Sequence, residues 1–148
     1  MKHLFYCLIC LAMLPLTSCG GEEYDHETVE VLITRYDAGE KLSYADYTVM
    51  IAQQRLALEY IREKYSEILA DDDPAEARQQ YAALTSDTAF SRMAAQSERM
   101  RRILILSQKD YSEENRLQFE EVWHLGSAVD QLDDDIIRMT ASKDGAER

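Results

Sequence analysis

Glu121 and His124 have the residue types and the spacing of a metal site on a helix. They are three residues apart, so a helix presents both side chains on one face. Bundles that hold carboxylate-bridged metal pairs repeat this Glu-x-x-His pattern and add a carboxylate from each remaining helix. Here the pattern occurs once, and Val122 and Leu125 continue an apolar stripe that turns both side chains towards solvent. We therefore expect a solvated helix face and no bound metal, with Glu121 and His124 as the one metal candidate.

The sequence lacks the residues and motifs on which the common types of enzyme catalysis depend. All three cysteines lie within the first nineteen positions, and His26 and His124 are the only histidines beyond them. The sequence patterns of serine hydrolases, zinc peptidases and phosphate-binding loops are absent. The acidic runs 71–73 and 133–135 lack the spacing of a calcium loop and fit a helix cap and a solvated helix face. We expect a protein that is not an enzyme and holds no cofactor.

A basic cluster, Arg99, Arg101 and Arg102, is the first candidate for a contact surface. If the chain turns back near residue 110, Arg99 lies opposite residues 119–121 of the next helix, so pairing within the chain is the default expectation. A group of arginines also suits an acidic partner. We name Arg99 and Arg102 as candidate partner contacts.

Tyrosine is frequent in this chain, with nine residues. Its ring suits positions where one side is apolar and the other is wet, which include binding surfaces. Tyr44, Tyr47 and Tyr65 fall on an apolar stripe, so we expect them at the rim of the core. Tyr60 falls off that stripe and is the candidate for an exposed partner contact.

The composition excludes several classes of protein. The 148 residues include 28 acidic and 16 basic side chains, for a formal charge of −12. Such a negative surface repels a phosphate backbone, so nucleic-acid binding is not expected. Five glycines and two prolines are too few for the turns of a many-stranded sandwich or barrel. A small, acidic, mostly helical domain remains.

The first eighteen residues have the composition of a processing signal. A basic start is followed by an uncharged run over residues 4–16, which is too short to span a bilayer. The run ends in the tetrapeptide Leu16-Thr17-Ser18-Cys19, and the whole segment resembles a bacterial lipoprotein signal with its lipobox. The resemblance implies cleavage before Cys19, a diacylglycerol on its sulfur and an acyl chain on its amine. Two or three acyl chains anchor a protein stably to a membrane.

The residues after the cysteine suggest a destination. Gly20 is not the aspartate that resembles an inner-membrane retention mark in the best-known Gram-negative sorting system, so the resemblance implies the outer membrane. Glu22 and Glu23 are similar to the signal by which one lineage of Gram-negative bacteria exports lipoproteins to the cell surface. The same acidic residues also suit a flexible, solvated tether. We expect an outer-membrane lipoprotein that is exposed at the surface.

Long helices follow from the scarcity of breakers, because Pro74 is the only proline after residue 18 and no glycine lies between positions 40 and 125. The first helix is expected at about 27–38 and is expected to end at Gly39, a residue suited to a left-handed cap. Its branched residues 29–34 also fit a strand, but the spacing of apolar residues favours helix. Three longer helices follow: 44–69 behind a Ser43 cap with Asp46 three residues on, close to a capping box, 74 to about 106 behind an Asp73 cap with a break or kink at 85–88, and about 113–140 behind a Ser112 cap.

Apolar residues on the three long helices recur at alternating spacings of three and four, as in a coiled coil. Short loops make such helices antiparallel neighbours. The sequence therefore predicts an all-α fold: an antiparallel three-helix bundle with a short additional N-terminal helix. Residues 103–106 are apolar all round and are expected to be covered on several sides. We divide the chain into a signal (1–18), a lipidated acidic tether (19–27), the bundle (28–140) and a frayed tail (141–148).

These observations favour a non-enzymatic lipoprotein module that binds a protein partner or serves as an accessory subunit of the envelope. The alternative is a lipid-anchored inhibitor or immunity protein whose negative surface neutralises a basic toxin or enzyme.

Removal of residues 1–18 takes away one lysine and no acid, so the mature chain carries a formal charge of −13. An apolar seam can be satisfied within one chain or between chains, and the sequence leaves the oligomeric state open.

Overall fold

The computed structural model describes residues 23–141, and within this range the fold is all-α, as predicted. The residues outside the range include the proposed signal, Cys19 and most of the C-terminal tail. Five α-helices follow one another, with a single 3₁₀ turn at Gln108–Asp110 between the last two. Their bounds are α1 His26–Asp37, α2 Tyr44–Leu69, α3 Pro74–Ser86, α4 Thr88–Leu106 and α5 Glu113–Ala141.

The end of α1 and both ends of α2 lie at the predicted signals, whereas the Asp25 cap that starts α1 was not predicted. Gly39 takes a φ of +80° just after α1, a conformation that glycine adopts without steric cost. Ser43 and Asp46 form a complete capping box at the start of α2, each side chain bonding the other's backbone N–H. Asp46 also receives two hydrogen bonds from Arg35 of α1, which ties the two helices together.

The predicted break at residues 85–88 is confirmed and falls at Asp87. This residue accepts a hydrogen bond from the Phe90 N–H and so caps α4, while its own N–H still bonds the last carbonyls of α3. Asp73 caps α3, with Pro74 in the first turn, as expected from the sequence. One aspartate therefore ends one helix and starts the next without an intervening loop.

Contacts between side chains fix the directions of the helices. The Tyr65 ring meets Phe90 at the start of α4, and the Tyr47 ring meets Tyr111 beyond its end, so α2 and α4 run in opposite directions. Asn115 bonds Thr48 near the starts of α2 and α5. Arg55 and Glu121 pair further along, so these two helices run in the same direction. The short α1 packs on α4 and α2.

The core lies between α2, α4 and α5, with apolar residues of α1 closing one side. Its fully buried members include Met50, Met100, Ile103, Leu104 and Ile136.

Two expectations about burial are wrong. Tyr44 is 62% exposed and does not lie at the rim of the core. Ile105 and Leu106 are 38% and 68% exposed, although the apolar turn 103–106 was expected to be covered on several sides. The reason is geometric: Ile103 and Leu104 face the core, whereas Ile105 borders a gap between α4 and α5 and Leu106 faces solvent.

Candidate functional site

A pocket of about 280 Å³ opens between the end of α4 and the first half of α5. We call it the α4–α5 pocket. Its apolar wall consists of the partly exposed Ile105 and Trp123 and the buried Phe119. Three polar side chains complete it: Gln108, Arg116 and Glu120. Apolar walls with a few polar groups are typical of binding pockets.

The wall belongs to a continuous series of aromatic rings that starts in the core. Tyr47 of α2 packs edge-on against Tyr111, with 5.1 Å between ring centroids. Tyr111 lies 5.6 Å from Phe119, and Phe119 lies 6.2 Å from Trp123. The Tyr111 hydroxyl donates to the Leu104 carbonyl at 2.6 Å, and burial raises the pKa of this phenol. The pocket wall is therefore attached to rigid core structure.

Trp123 is held from a second side by an ion pair. The guanidinium of Arg101 lies 5.4 Å from the centroid of the tryptophan ring. The same guanidinium donates two hydrogen bonds to the carboxylate of Asp130, at 3.1 and 2.9 Å. Such a bidentate hydrogen bond fixes the plane of the guanidinium. The guanidinium above the ring in turn restricts the rotation of the indole side chain. Trp123 is 41% exposed yet has neighbours on two sides.

The two charged residues of the pocket, Arg116 and Glu120, are four positions apart on α5. Neither side chain forms a hydrogen bond or ion pair with another residue of the range 23–141, and they do not pair with each other. Most other arginines in this range are engaged by carboxylates: Arg35, Arg55, Arg99, Arg101, Arg102 and Arg138. Two uncommitted charges of opposite sign therefore flank an apolar wall.

Glu121 and His124 lie on another face of α5, and both are exposed. Glu121 accepts a hydrogen bond from Arg55 of α2 at 2.6 Å, so its carboxylate ties two helices together. Within the described part of the chain no three histidine, cysteine or acidic side chains are grouped as metal ligands would be. Glu121 and His124 are thus two residues of metal-ligand type without a third beside them, and Glu121 is already paired with Arg55.

None of the three predicted contact residues lines the α4–α5 pocket, and Tyr60 lies on a different helix from the two arginines. Arg99 pairs with Asp37 of α1, not with the segment 119–121, because α1 occupies that side of α4. Arg102 pairs with Glu98 one turn earlier in its own helix, at 2.9 Å. Tyr60 is 40% exposed, as expected, and its ring lies 5.7 Å from the ammonium of Lys64.

The lipidation and sorting residues lie outside the described range, apart from the exposed Glu23 at its start. They are Leu16, Thr17, Ser18, Cys19, Gly20 and Glu22. Residues that follow Glu23 form hydrogen bonds to the helices. The Tyr24 hydroxyl donates to the Gln96 side-chain oxygen at 3.1 Å, and the Asp25 N–H donates to Gln53 at 2.7 Å. Residues 24–27, placed in the tether from the sequence, are thus bonded to the helices.

A buried polar atom next to the pocket has no partner. Gln54 of α2 is 2% exposed, and its side-chain oxygen accepts no hydrogen bond from the residues described. It borders a narrow gap beside Arg101, Phe119 and Trp123. In the sequence Gln54 is the one polar residue in the apolar seam of α2. The pattern therefore marks the position as unusual but does not show which residues surround it.

Sequence reasoning missed Trp123, Phe119 and Arg116 as members of one site. One signal was available: the only tryptophan of the chain lies directly after Val122 of the apolar stripe and therefore cannot share its buried face. No helix within residues 23–141 is long and apolar enough to cross a membrane. Comparison with protein-family models, curated proteins and solved structures finds no match to this chain.

Proposed function

We propose that this protein is a non-enzymatic lipoprotein of the bacterial outer membrane, exposed at the cell surface, that binds a protein partner through the α4–α5 pocket. The observation that carries the proposal is Trp123, a partly exposed tryptophan held between Phe119 and Arg101. Tryptophan and arginine are enriched among the residues that dominate the energy of protein interfaces. A ring already fixed in position loses little conformational entropy on binding.

The proposed anchor is the lipid on Cys19, and its distance from the domain follows from the chain. Tyr24 is bonded to α4, so five peptide units separate the lipidated residue from the folded domain. An extended chain spans at most about 3.4 Å per residue, so the domain starts within about 17 Å of the lipidated cysteine. This module therefore stays close to the membrane, where a membrane-bound partner or an envelope assembly is within reach.

The finer arrangement of the helices is part of the same proposal. We assign α2, the α3–α4 segment and α5 as the three members of an antiparallel bundle, with α1 as the additional short helix. The opposite directions of α2 and α4 and the shared direction of α2 and α5 support this assignment. It leaves the groove between α4 and α5 accessible at the pocket.

The test of partner binding is site-specific crosslinking in cells of the native host. A photo-crosslinking amino acid replaces Ile105 in the pocket wall, which is 38% exposed, or, as the control, Ile137 near the end of α5, which is 48% exposed. We expect one discrete crosslinked protein from position 105, none from position 137, and loss of that product in a Trp123→Ala variant. Equal products from both positions, or none from either, would contradict the proposal.

The salt dependence of the captured complex separates this proposal from the inhibitor alternative. A complex centred on an apolar pocket changes little in dissociation rate between low and high salt, because buried apolar contacts are not screened. An inhibitor of a basic toxin or enzyme instead owes its association rate to the acidic surface and loses it steeply with salt. A basic partner with steep salt dependence would identify the inhibitor.

The anchor has its own test. Metabolic labelling with palmitate is expected to label the wild-type protein and not a Cys19→Ser variant. Protease treatment of intact cells then reports exposure at the surface, since an exposed domain is degraded and one facing the periplasm survives. Labelling of the Cys19→Ser variant would overturn the anchor.

A further inference from the structure

The geometry of the α4–α5 pocket points to its ligand: we infer that it binds the C-terminal residue of a partner protein, with the free carboxylate on Arg116 and an apolar side chain against Trp123. This inference rests on the proposed function, because it names the part of the protein partner that enters the pocket. It adds a requirement that the proposed function lacks, namely a free carboxylate at the end of the partner's chain.

Arg116 supplies the anion-binding group. It is the only cation that lines the pocket, and its guanidinium has no acidic partner among residues 23–141, so it is available to a ligand. A guanidinium matches a carboxylate with two parallel hydrogen bonds, and such charge-assisted bonds are stronger than neutral ones. The amide of Gln108, on the 3₁₀ turn, lines the same pocket and adds a neutral donor.

The spacing along α5 fits one residue with a large side chain. Seven positions separate Arg116 from Trp123, a rise of about 10 Å along the helix. The extended arginine side chain covers part of this distance, and one large apolar side chain covers the rest. The volume of about 280 Å³ is close to the lower limit for small-molecule sites, so it suits a side chain more than a large cofactor.

Glu120 gives the ligand its second polar requirement. This exposed carboxylate lies between Arg116 and Trp123 on α5 and is likewise without a partner among the described residues. It can accept a hydrogen bond from the backbone N–H of the terminal residue, and it repels a second acidic group. A fatty carboxylate has no N–H to donate. The three polar groups together therefore favour a peptide end over a lipid.

The test uses the mature lipidated protein in detergent micelles and reads the fluorescence of Trp123, the only tryptophan in the chain. The first probe is N-acetyl-glycyl-phenylalanine with a free carboxylate, and its matched control is the same dipeptide as the C-terminal amide. We expect the free acid to bind, and we expect the affinity of the amide to be lower by about tenfold or more. Arg116→Gln is expected to remove the difference in affinity between the acid and the amide. Arg102→Gln is the control and is expected to leave that difference unchanged, because Arg102 pairs with Glu98 outside the pocket.

Two further probes identify the source of the carboxylate. Octanoate that binds at least as tightly as the dipeptide would make the pocket a site for lipid carboxylates, and free phenylalanine that does so would make it a site for amino acids. Either result overturns the inference, as does equal binding of the acid and the amide. If crosslinking from position 105 still requires Trp123 but the acid does not compete with it, the proposed function stands and this inference fails.

Discussion

The guanidinium of Arg101 lies 5.4 Å from the centroid of the Trp123 ring and at the same time donates two hydrogen bonds to Asp130. α4 thereby holds α5 at the point where the pocket begins. A cation over an indole contributes roughly 0.5–1 kcal/mol at an exposed site, and an exposed ion pair contributes up to about 1 kcal/mol. The pair matters more for the orientation of Trp123 than for stability.

The first prediction removes this clamp. In Arg101→Ala we expect the free energy of unfolding to fall by about 1 kcal/mol and the tryptophan emission to move to longer wavelength, because the indole gains mobility and water. Urea unfolding followed by circular dichroism, with emission spectra of the native state, measures both. Arg102→Ala is the matched control, since its side chain bonds only Glu98 of the same helix. Identical spectra for the two variants would contradict the clamp.

The second prediction concerns the unpartnered oxygen of Gln54. A buried polar atom without a hydrogen bond costs roughly 1–3 kcal/mol, so Gln54→Met, which keeps the length of the side chain, is expected to raise the free energy of unfolding by about 1 kcal/mol. The neighbouring Gln53→Met is expected to lower it by a similar amount, because Gln53 accepts the Asp25 N–H at 2.7 Å. Chemical denaturation of the two variants gives both signs. A loss of stability in both would show that Gln54 has a partner.

The third prediction follows from an acid with a lowered pKa. Hydrogen bonds from Arg35, then from the Ser43 backbone and hydroxyl, lower the pKa of Asp46 to about 2 from its ordinary 3.8. A carboxyl with a depressed pKa in the folded state stabilises that state above its unfolded pKa, and the contribution is lost as the pH falls through the folded pKa. Stability should therefore decline between about pH 4 and pH 2. After screening by solvent, the loss amounts to about 1 kcal/mol.

The measurement is the unfolding midpoint as a function of pH for the wild type and for Asp46→Asn. The variant is expected to be less stable at neutral pH and to show a shallower decline below pH 4. Asp72→Asn is the control, because Asp72 is exposed and bonds no other described residue. A wild-type slope in Asp46→Asn would mean that other carboxyls cause the acid sensitivity.

Helix ends were predicted well from the sequence because caps are local. The Ser43–Asp46 box, the Asp73–Pro74 start and the turn at Gly39 each depend on residues within four positions of one another. The break between α3 and α4 is local in the same way, since the side chain of Asp87 accepts a hydrogen bond from the N–H of Phe90, three residues later. Local polar chemistry and helical periodicity thus determine most of the secondary structure.

The binding site was not predictable in the same way, because it depends on where helices sit relative to one another. Periodicity gives the face on which Ile105 lies but not whether another helix covers that face. The pairing of Arg99 with Asp37 depends on the position of α1 across α4. The ring series from Tyr47 to Trp123 joins residues that are 76 positions apart and becomes visible only in three dimensions.

The fourth prediction contrasts two glycines. Gly126 lies inside α5, where an added Cβ would meet the Leu58 side chain at 3.7 Å, an ordinary van der Waals contact. Gly126→Ala is therefore expected to raise the free energy of unfolding by about 0.5–1 kcal/mol, since alanine loses less backbone entropy in a helix. Gly39→Ala is expected to lower it by about 1–2 kcal/mol, because a φ of +80° strains any residue with a Cβ. Thermal and urea unfolding of the two variants test the pair. Destabilisation of Gly126→Ala as large as that of Gly39→Ala would mean that α2 and α5 pack more closely at Leu58 than this contact distance allows.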